Sequence, residues 1–315
     1  MRIALIDTVH PRLSELLTRA GHEVLALHQV DDDGLPDALK GAQGIVVRSR
    51  SLTAELLQQV EGLRFIGRVG SGTENIGTEW CRKNQVRVLN SPEGNRDGVG
   101  EACVMMLLAL MKALVRANGQ VHHGLWLREE NRGTDLRGKT VGIIGYGNMG
   151  SAFADKLRGF GVKVLAHDKY RSGFERAGVT ESSLERLLRE SDVISLHLPL
   201  TDETRHFADR DFFLRLGRPV WFLNTSRGAV VHTGALLDAI DHGRVIAAGL
   251  DVLEFERSDL SGLDPAIDSG SQRRLFGHER VLLTPHIAGV THEGKLKMAE
   301  VLADKIIHAF PNGQG

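Results

Sequence analysis

Residues 140–150 read Thr-Val-Gly-Ile-Ile-Gly-Tyr-Gly-Asn-Met-Gly, and residues 162–168 read Val-Lys-Val-Leu-Ala-His-Asp. The first apolar run feeds a G-x-G-x-x-G made of Gly145, Gly147 and Gly150. Residues 151–160 then carry apolar positions at helical spacing, and the second apolar run ends on Asp168. Glycine-rich turns are common, but one set between a strand and a helix, with an acid about 20 residues on, marks a dinucleotide-binding β-α-β unit. Gly145 permits the tight turn, Gly147 lets the backbone approach a pyrophosphate, and Gly150 lets helix and strand pack closely. The helix N-terminus offers N–H groups and the positive end of its dipole to the phosphates. Asp168 is suited to accept both adenosine ribose hydroxyls and to repel a 2′-phosphate, which favours NAD over NADP. Lys169 and Arg171 beside it act against that preference.

Outward from this unit, short apolar runs alternate with helical patterns along the 315 residues, the pattern of parallel sheets covered by helices on both faces. Strands are expected at 3–6, 24–27, 45–47, 65–69 and 86–89, and again at 141–144, 163–167, 193–196, 220–223, 247–250 and 281–283. Each set suffices for its own doubly wound sheet, so the fold class is α/β with two such domains. A turn-rich stretch, Asn90-Ser-Pro-Glu-Gly-Asn95, separates the sets. A final helix over 291–310 has no strand after it. It cannot complete the second sheet, and it is expected to cross back to the first domain. The expected division is 1–94 plus 290–315 as one domain and 95–289 as the other, with a ligand cleft between them. Residues 257–279, polar and carrying Pro265, form the longest structureless candidate.

Composition narrows the function classes. Hydrophobic residues make 42% and charged residues 25% of the chain, as in globular proteins that keep to water. A formal net charge of −1 gives no pull toward nucleic acid or anionic lipid, so neither is expected as a partner. Two cysteines, Cys81 and Cys103, make neither a disulfide framework nor a zinc site, which implies no metal and a reducing, cytoplasmic setting. Residues 1–7 lack the long apolar core of a signal peptide and read as a strand. The uncharged run 102–111 is too short to span a bilayer. It lies in an expected helix over 97–117 and is apolar on all sides, which points to burial at a subunit contact and hence to a homodimer, with Trp126 as an anchor.

Three further segments place polar groups just after second-domain strands, where open α/β sheets bind ligands. They are Phe222-Leu-Asn-Thr-Ser-Arg-Gly228, Gly249-Leu-Asp-Val-Leu-Glu-Phe-Glu256 and Leu283-Thr-Pro-His-Ile-Ala-Gly289. Taken alone, a loop Arg is usually a solvated charge, and one histidine of 14 is more often packed or exposed than catalytic. Together they support a mechanism. Hydride transfer at a hydroxyl-bearing carbon requires a proton to leave or join its oxygen, and an imidazole suits that work. A carboxylate bonded to the imidazole fixes its tautomer, and a forked guanidinium grips a carboxylate or polarises a carbonyl.

On these motifs the chain resembles the D-2-hydroxyacid dehydrogenases, the phosphoglycerate dehydrogenase-like branch in particular. The likeness runs almost the whole length. It includes Gly67-Arg-Val-Gly-Ser-Gly-Thr-Glu-Asn-Ile76, Asn90-Ser-Pro-Glu-Gly-Asn95, the Gly145 fingerprint, Ser195-Leu-His-Leu-Pro-Leu-Thr201, Asn224-Thr-Ser-Arg-Gly228 and Thr284-Pro-His-Ile-Ala-Gly289. The resemblance implies a split, flavodoxin-like substrate-binding domain, a Rossmann NAD-binding domain and a dimer through helix 97–117. It implies that Arg227 binds and polarises substrate, that His286 is the acid/base and that Glu256 is its partner. Cofactor positions follow at Asn148, Met149, Asp168, His197, Pro199, Thr204, Thr225, Ser226, Asp251 and Gly289, beside the three fingerprint glycines. Substrate positions follow at Gly70, Ser71 and Gly72, whose N–H groups hold a carboxylate, and at Arg48 and Ser49. Arg257 stands where the family often has proline, and Val290 where many members have an aromatic; both bear on pocket shape. The formate-acting branch carries Gln where Glu256 stands. No regulatory domain follows the last helix, so serine feedback is not expected. The expected activity is NAD-dependent interconversion of a D-2-hydroxy acid and its 2-keto acid. Arg48, Arg50 and Arg68 at first-domain strand ends point to 3-phosphoglycerate. The alternatives are a glyoxylate/hydroxypyruvate reductase and a non-catalytic NAD(H)-sensing protein like the corepressors built on this fold.

Overall fold

The computed structural model describes residues 1–257, 262–264 and 269–311. They fall into two compact units. One comprises Met1–Arg96, Arg257–Gly262 and Val290–Gly315; the other comprises Asp97–Glu256 and Leu263–Gly289.

The first unit is built on five parallel strands, β1 Arg2–Leu5, β2 Glu23–Ala26, β3 Gly44–Val47, β4 Phe65–Arg68 and β5 Arg87–Asn90, in the order β2-β1-β3-β4-β5. That is the flavodoxin-like doubly wound order. Helices α1 Pro11–Arg19, α2 Leu35–Ala38, α3 Ala54–Leu57 and α4 Thr78–Lys83 connect these strands. The central strands are apolar runs because both faces are covered: all four residues of β3 are buried.

The second unit holds α5 Arg96–Met111 from Asp97 on, α6 Leu114–His122, β6 Thr140–Ile144, α7 Asn148–Lys156, β7 Lys163–His167, β8 Val179–Glu181, α8 Leu184–Glu190, β9 Val193–Leu196 and α9 Arg210–Leu214. It continues through β10 Val220–Asn224, α10 Thr233–Asp241, β11 Val245–Leu250, α11 Ser269–Phe276 and β12 Val281–Leu283. Seven parallel strands stand in the order β12-β11-β10-β9-β6-β7-β8. The order reverses direction between β6 and β9, the switch point at which a Rossmann sheet opens its ligand crevice.

The last helix, α12 His292–Ala309, belongs to the first unit. Thr291 caps it by accepting from Gly294 N at 2.8 Å. Met298, Ala299, Leu302, Ala303 and Ile306 form one buried stripe that packs on α1 and on β4 and β5. Burial of each large aliphatic side chain there contributes roughly 1.5–3 kcal/mol. Lys305 fastens the helix from outside, through Asn90 O at 2.9 Å and Glu93 at 2.8 Å.

Each expected strand is present, with ends shifted by at most two residues. Three expectations are corrected. The helix expected over 97–117 is broken into α5 and α6, bent by 62°. Neither glycine nor proline stands at the break; Ala113 takes a left-handed φ of 50° instead. The cause is tertiary, since Thr134 N donates to Met111 O at 2.8 Å and Lys112 pairs with Asp135, so the 133–135 segment ends α5. Residues 257–279, expected without structure, contain α11, whose Arg274 reaches Asp238 at 2.9 Å and Asp241 at 2.5 Å. Pro265 lies outside the described residues. An edge strand, β8, was not among those expected. No single described helix is long and apolar enough to cross a membrane.

Candidate active site

The nucleotide fingerprint folds as a turn that only glycine allows. Gly145 has φ 90°, and a Cβ on it would lie 2.5 Å from His197 O; one on Gly150 would lie 2.1 Å from Gly145 O. The turn is thus closed on its inner side. Outward it is open, since a Cβ on Gly147 would meet nothing within 4 Å. Gly147 precedes α7, which starts with Asn148 and Met149 and has no side-chain cap. Its first-turn N–H groups therefore face an open space suited to a pyrophosphate.

Asp168, just past β7, is held by two amides: Tyr146 N donates to Oδ2 at 2.8 Å and Tyr170 N to Oδ1 at 3.0 Å. It borders an open pocket of ≈ 470 Å³ together with Arg171, Ser172, Glu181 and Ser183. The two nearby cations are committed elsewhere. Lys169 pairs with Glu203, which also takes the Tyr170 hydroxyl, and Arg171 donates to Tyr146 O at 2.9 Å. A donor set of uncapped amides followed by a fixed carboxylate fits NAD, and the basic residues that would welcome a 2′-phosphate are occupied.

The other expected cofactor positions divide. Thr204 closes its own turn, donating to Pro199 O at 2.6 Å, with Pro199 exposed. Thr225 and Ser226 are buried: the Thr225 hydroxyl lies 3.3 Å from Cys103 Sγ, and the Ser226 hydroxyl donates to Asn224 Oδ1 at 2.8 Å. Burial pushes the Cys103 thiol up to about 12, so it is a packing group and not a nucleophile. The His197 imidazole is enclosed, with Nε2 2.9 Å from Ser195 Oγ and Nδ1 without a partner, and burial drives its pKa down to about 3. Gly289 is half-buried at the end of the second unit.

The three reacting-group candidates follow three neighbouring strands, β10, β11 and β12. Arg227 comes after β10, half-buried, with Nη1 donating to Ser226 O at 2.6 Å; Asn224 Nδ2 holds its carbonyl at 2.9 Å. Glu256 Oε2 lies 2.8 Å from His286 Nδ1, and its Oε1 accepts from Leu253 N at 2.8 Å. His286 itself sits at φ 54°, a left-handed conformation that costs a non-glycine residue on the order of 1 kcal/mol or more. Asp251 is what enforces it. This buried carboxylate accepts from Thr284 Oγ1 at 2.6 Å and from Ile287 N and Ala288 N at 2.8 Å, and the Asp251 carbonyl accepts from His286 N at 2.7 Å. The family resemblance assigns Asp251 to the cofactor; within the second unit its bonds shape the histidine loop. With Nδ1 committed to Glu256, Nε2 is the ring atom left to exchange a proton.

In the first unit, Gly70 is fixed by mutual bonds with Ser91: Gly70 N donates to Ser91 Oγ at 3.1 Å, and Ser91 N to Gly70 O at 2.9 Å. Asn90 Nδ2 holds Ser71 O at 2.7 Å, and the Ser71 hydroxyl donates to Asn95 at 3.2 Å. The N–H groups of Ser71 and Gly72 have no acceptor among the described residues. The Arg48–Ser49 turn differs, because it already holds an anion. Asp7 Oδ2 accepts from Arg48 N at 2.6 Å, Ser49 N at 2.8 Å and Arg50 N at 3.1 Å. The Arg50 guanidinium pairs with Asp32 and donates to Val30 O at 2.8 Å, and Arg68 donates to Val69 O at 2.8 Å. Of the three arginines expected to face a phosphate, only Arg48 is an exposed residue.

Comparison with known proteins fits this geometry. The D-isomer specific 2-hydroxyacid dehydrogenase NAD-binding domain matches over residues 104–288. The chain belongs to that family. Along 97% of its length it is 31% identical to the hydroxypyruvate reductase of Thermotoga maritima, of which it covers 97%. It is 33% identical to the D-3-phosphoglycerate dehydrogenase of Bacillus subtilis over 86% of this chain but only 50% of that one. The crystal structure of D-lactate dehydrogenase from Aquifex aeolicus, complexed with NAD and lactic acid, superposes with a TM-score of 0.82 at 30% identity, covering 99% of this chain and 96% of that one. This member of the family is thus an NAD-dependent oxidoreductase that interconverts 2-hydroxy and 2-keto acids.

Proposed function

We propose that the chain reduces a small, unphosphorylated 2-keto acid of the glyoxylate or hydroxypyruvate class, with His286 as proton donor, Glu256 as its anchor and Arg227 as the substrate grip. The observation that carries this reading is the 2.8 Å Glu256–His286 pair, whose residues follow β11 and β12, the next two strands in sheet order after β10, which Arg227 follows. When bound, NADH supplies the hydride. The chain does the rest. Arg227 presents a fork to the substrate carbonyl and carboxylate. Protonated His286 gives its Nε2 proton to the carbonyl oxygen as the C2 hydroxyl forms, and Glu256 stabilises the imidazolium through Nδ1. In the oxidative direction the same atoms run in reverse.

The substrate class follows from Asp7 and Arg50. A phosphate at the 48–50 turn would meet a carboxylate already seated on its amides, and Arg50 is turned away to Asp32. The near-complete mutual coverage with the Thermotoga reductase supports the same choice. A panel followed by reduced-nicotinamide absorbance tests it. Glyoxylate or hydroxypyruvate is expected to exceed phosphohydroxypyruvate in kcat/KM by about 10-fold or more. A preference for the phosphorylated acid would restore the phosphoglycerate reading.

We further infer a homodimer through the second unit, in the reducing cytoplasm. None of the residues of α6 is buried, and Leu114, Val115, Val121, Leu125 and Trp126 are each about half or more exposed, Trp126 at 77%. That apolar surface exceeds what scattered exposure explains. Its position supports a contact on α6 and the 125–126 segment over one on α5, whose inner face packs in its own unit. Light scattering at micromolar concentration is expected to report twice 34.5 kDa, and an active monomer would refute the dimer.

A further inference from the structure

A second histidine–carboxylate pair stands two residues upstream of Glu256 and has no part in the chemistry above. Glu254 Oε1 lies 2.6 Å from His206 Nε2, and Oε2 accepts from Thr233 N at 2.9 Å. Burial pushes this carboxyl up, but the bonds from Thr233 and His206 outweigh that effect and hold it below its ordinary value. The His232 ring meets the His206 ring edge-on at 5.0 Å, and His232 Nδ1 caps α10 by accepting from Ala235 N at 3.1 Å.

These contacts join three segments. His206 is one of the few non-glycine residues with positive φ, at 54°. Its N–H donates to Ala229 O at 2.8 Å, and Ala208 N donates to Val230 O at 3.0 Å, so the 206–208 segment is laced to the turn that follows Arg227. Thr233 opens α10 directly beyond that turn. Glu254 comes from the other side, on the 251–256 loop. The two loops touch backbone to backbone at Gly228: a Cβ there would lie 1.8 Å from Leu253 O and 2.5 Å from Glu254 N. Leu253 in turn donates its N–H to Glu256 Oε1.

We propose that Glu254 is a positioning residue, a clamp that holds the loop carrying Glu256, and through it His286, in register with the loop carrying Arg227. The proposal rests on reading Arg227, Glu256 and His286 as the reacting set. The physical reason is that hydride and proton transfer require the grip and the acid to meet one substrate at once, and a displacement of about 1 Å can cost about 100-fold. Glu254 is the side chain that bonds both to the start of α10 and to the 206–208 lacing, while its own backbone bears on Gly228.

The test uses the full-length protein with NADH and whichever 2-keto acid the panel selects. Turnover is normalised to NADH-binding stoichiometry, so that a smaller folded fraction does not count as slower chemistry. Glu254→Ala is expected to lower kcat per binding site by about 10- to 100-fold, with the Kd for NADH within about twofold of wild type. Glu254→Gln is expected to recover most of that loss, because its amide oxygen still accepts from Thr233 and its N–H₂ stays within hydrogen-bond reach of His206 Nε2. If Glu254→Ala fails to bind NADH, His206→Ala, which removes one of the two bonds, carries the test with a smaller loss of the same kind. Wild-type kcat in the variant that binds NADH overturns the clamp, as does a loss in Glu254→Ala that Glu254→Gln does not relieve. His286→Asn runs alongside. If it abolishes turnover while Glu254→Ala does not, the clamp alone falls; if it leaves turnover intact, the reading beneath both falls.

Discussion

His286→Asn is expected to lower kcat by about 100-fold or more while leaving NADH affinity unchanged. The substitution removes the titratable ring and little else. Asparagine tolerates the left-handed φ of 54° better than other side chains. Its amide can still donate to Glu256, and the bonds that Asp251 accepts from Thr284, Ile287 and Ala288 do not involve the replaced side chain. The loop therefore persists, and only the proton is missing. Stopped-flow or steady-state rates paired with a fluorescence titration of NADH separate the two effects. Near wild-type turnover would remove His286 from the chemistry.

The second large effect is on stability. Folding holds the His197 imidazole neutral, with a pKa of about 3 against an ordinary 6.5. Below pH 6.5 the unfolded chain takes up a proton that the folded chain refuses, so unfolding becomes easier as pH falls, and the penalty stops growing near pH 3. At about 1.4 kcal/mol per pH unit, this one ring costs about 2 kcal/mol between pH 6.5 and pH 5. His197→Gln keeps a hydrogen-bonding group near Ser195 and removes the titration. Urea unfolding at pH 7 and pH 5 should therefore show wild type losing about 2 kcal/mol more than the variant. Equal losses would show that the ring is solvated or protonated in the folded state.

What could be read from residues alone was whatever repeats or punctuates. The strands stood out because a doubly wound sheet buries both faces of its central strands, as in Ile143 and Ile144 or Val193 and Ile194. The Gly145 turn stood out because backbone geometry demands the residue. The features that escaped are tertiary. The α5–α6 break has no local breaker and follows from Thr134 reaching Met111 O. Strand β8 is three residues with one buried, too short to show a period. Helix α11 has Leu275 as its buried residue among polar neighbours. At the site, Glu256 and His286 were legible because each follows a strand, whereas Glu254 looks in sequence like one more surface acid. Nothing local tells that His206, 48 positions earlier, comes to it. Asp7 taking the amides of 48–50 is equally invisible, being set by β1 lying beside β3.

The order of the second sheet also acts as a ruler. Asp168 follows β7 and Asp251 follows β11, and β6, β9 and β10 lie between those strands. Four interstrand steps of roughly 4.8 Å put the two carboxylates about 19 Å apart along the sheet edge. A molecule that engages both neighbourhoods has to lie stretched across the strand ends, and either half of a dinucleotide taken alone reaches only one of them. The spacing of the hydrogen-bonded strands, and not any one side chain, thereby sets how long a cofactor this edge accommodates.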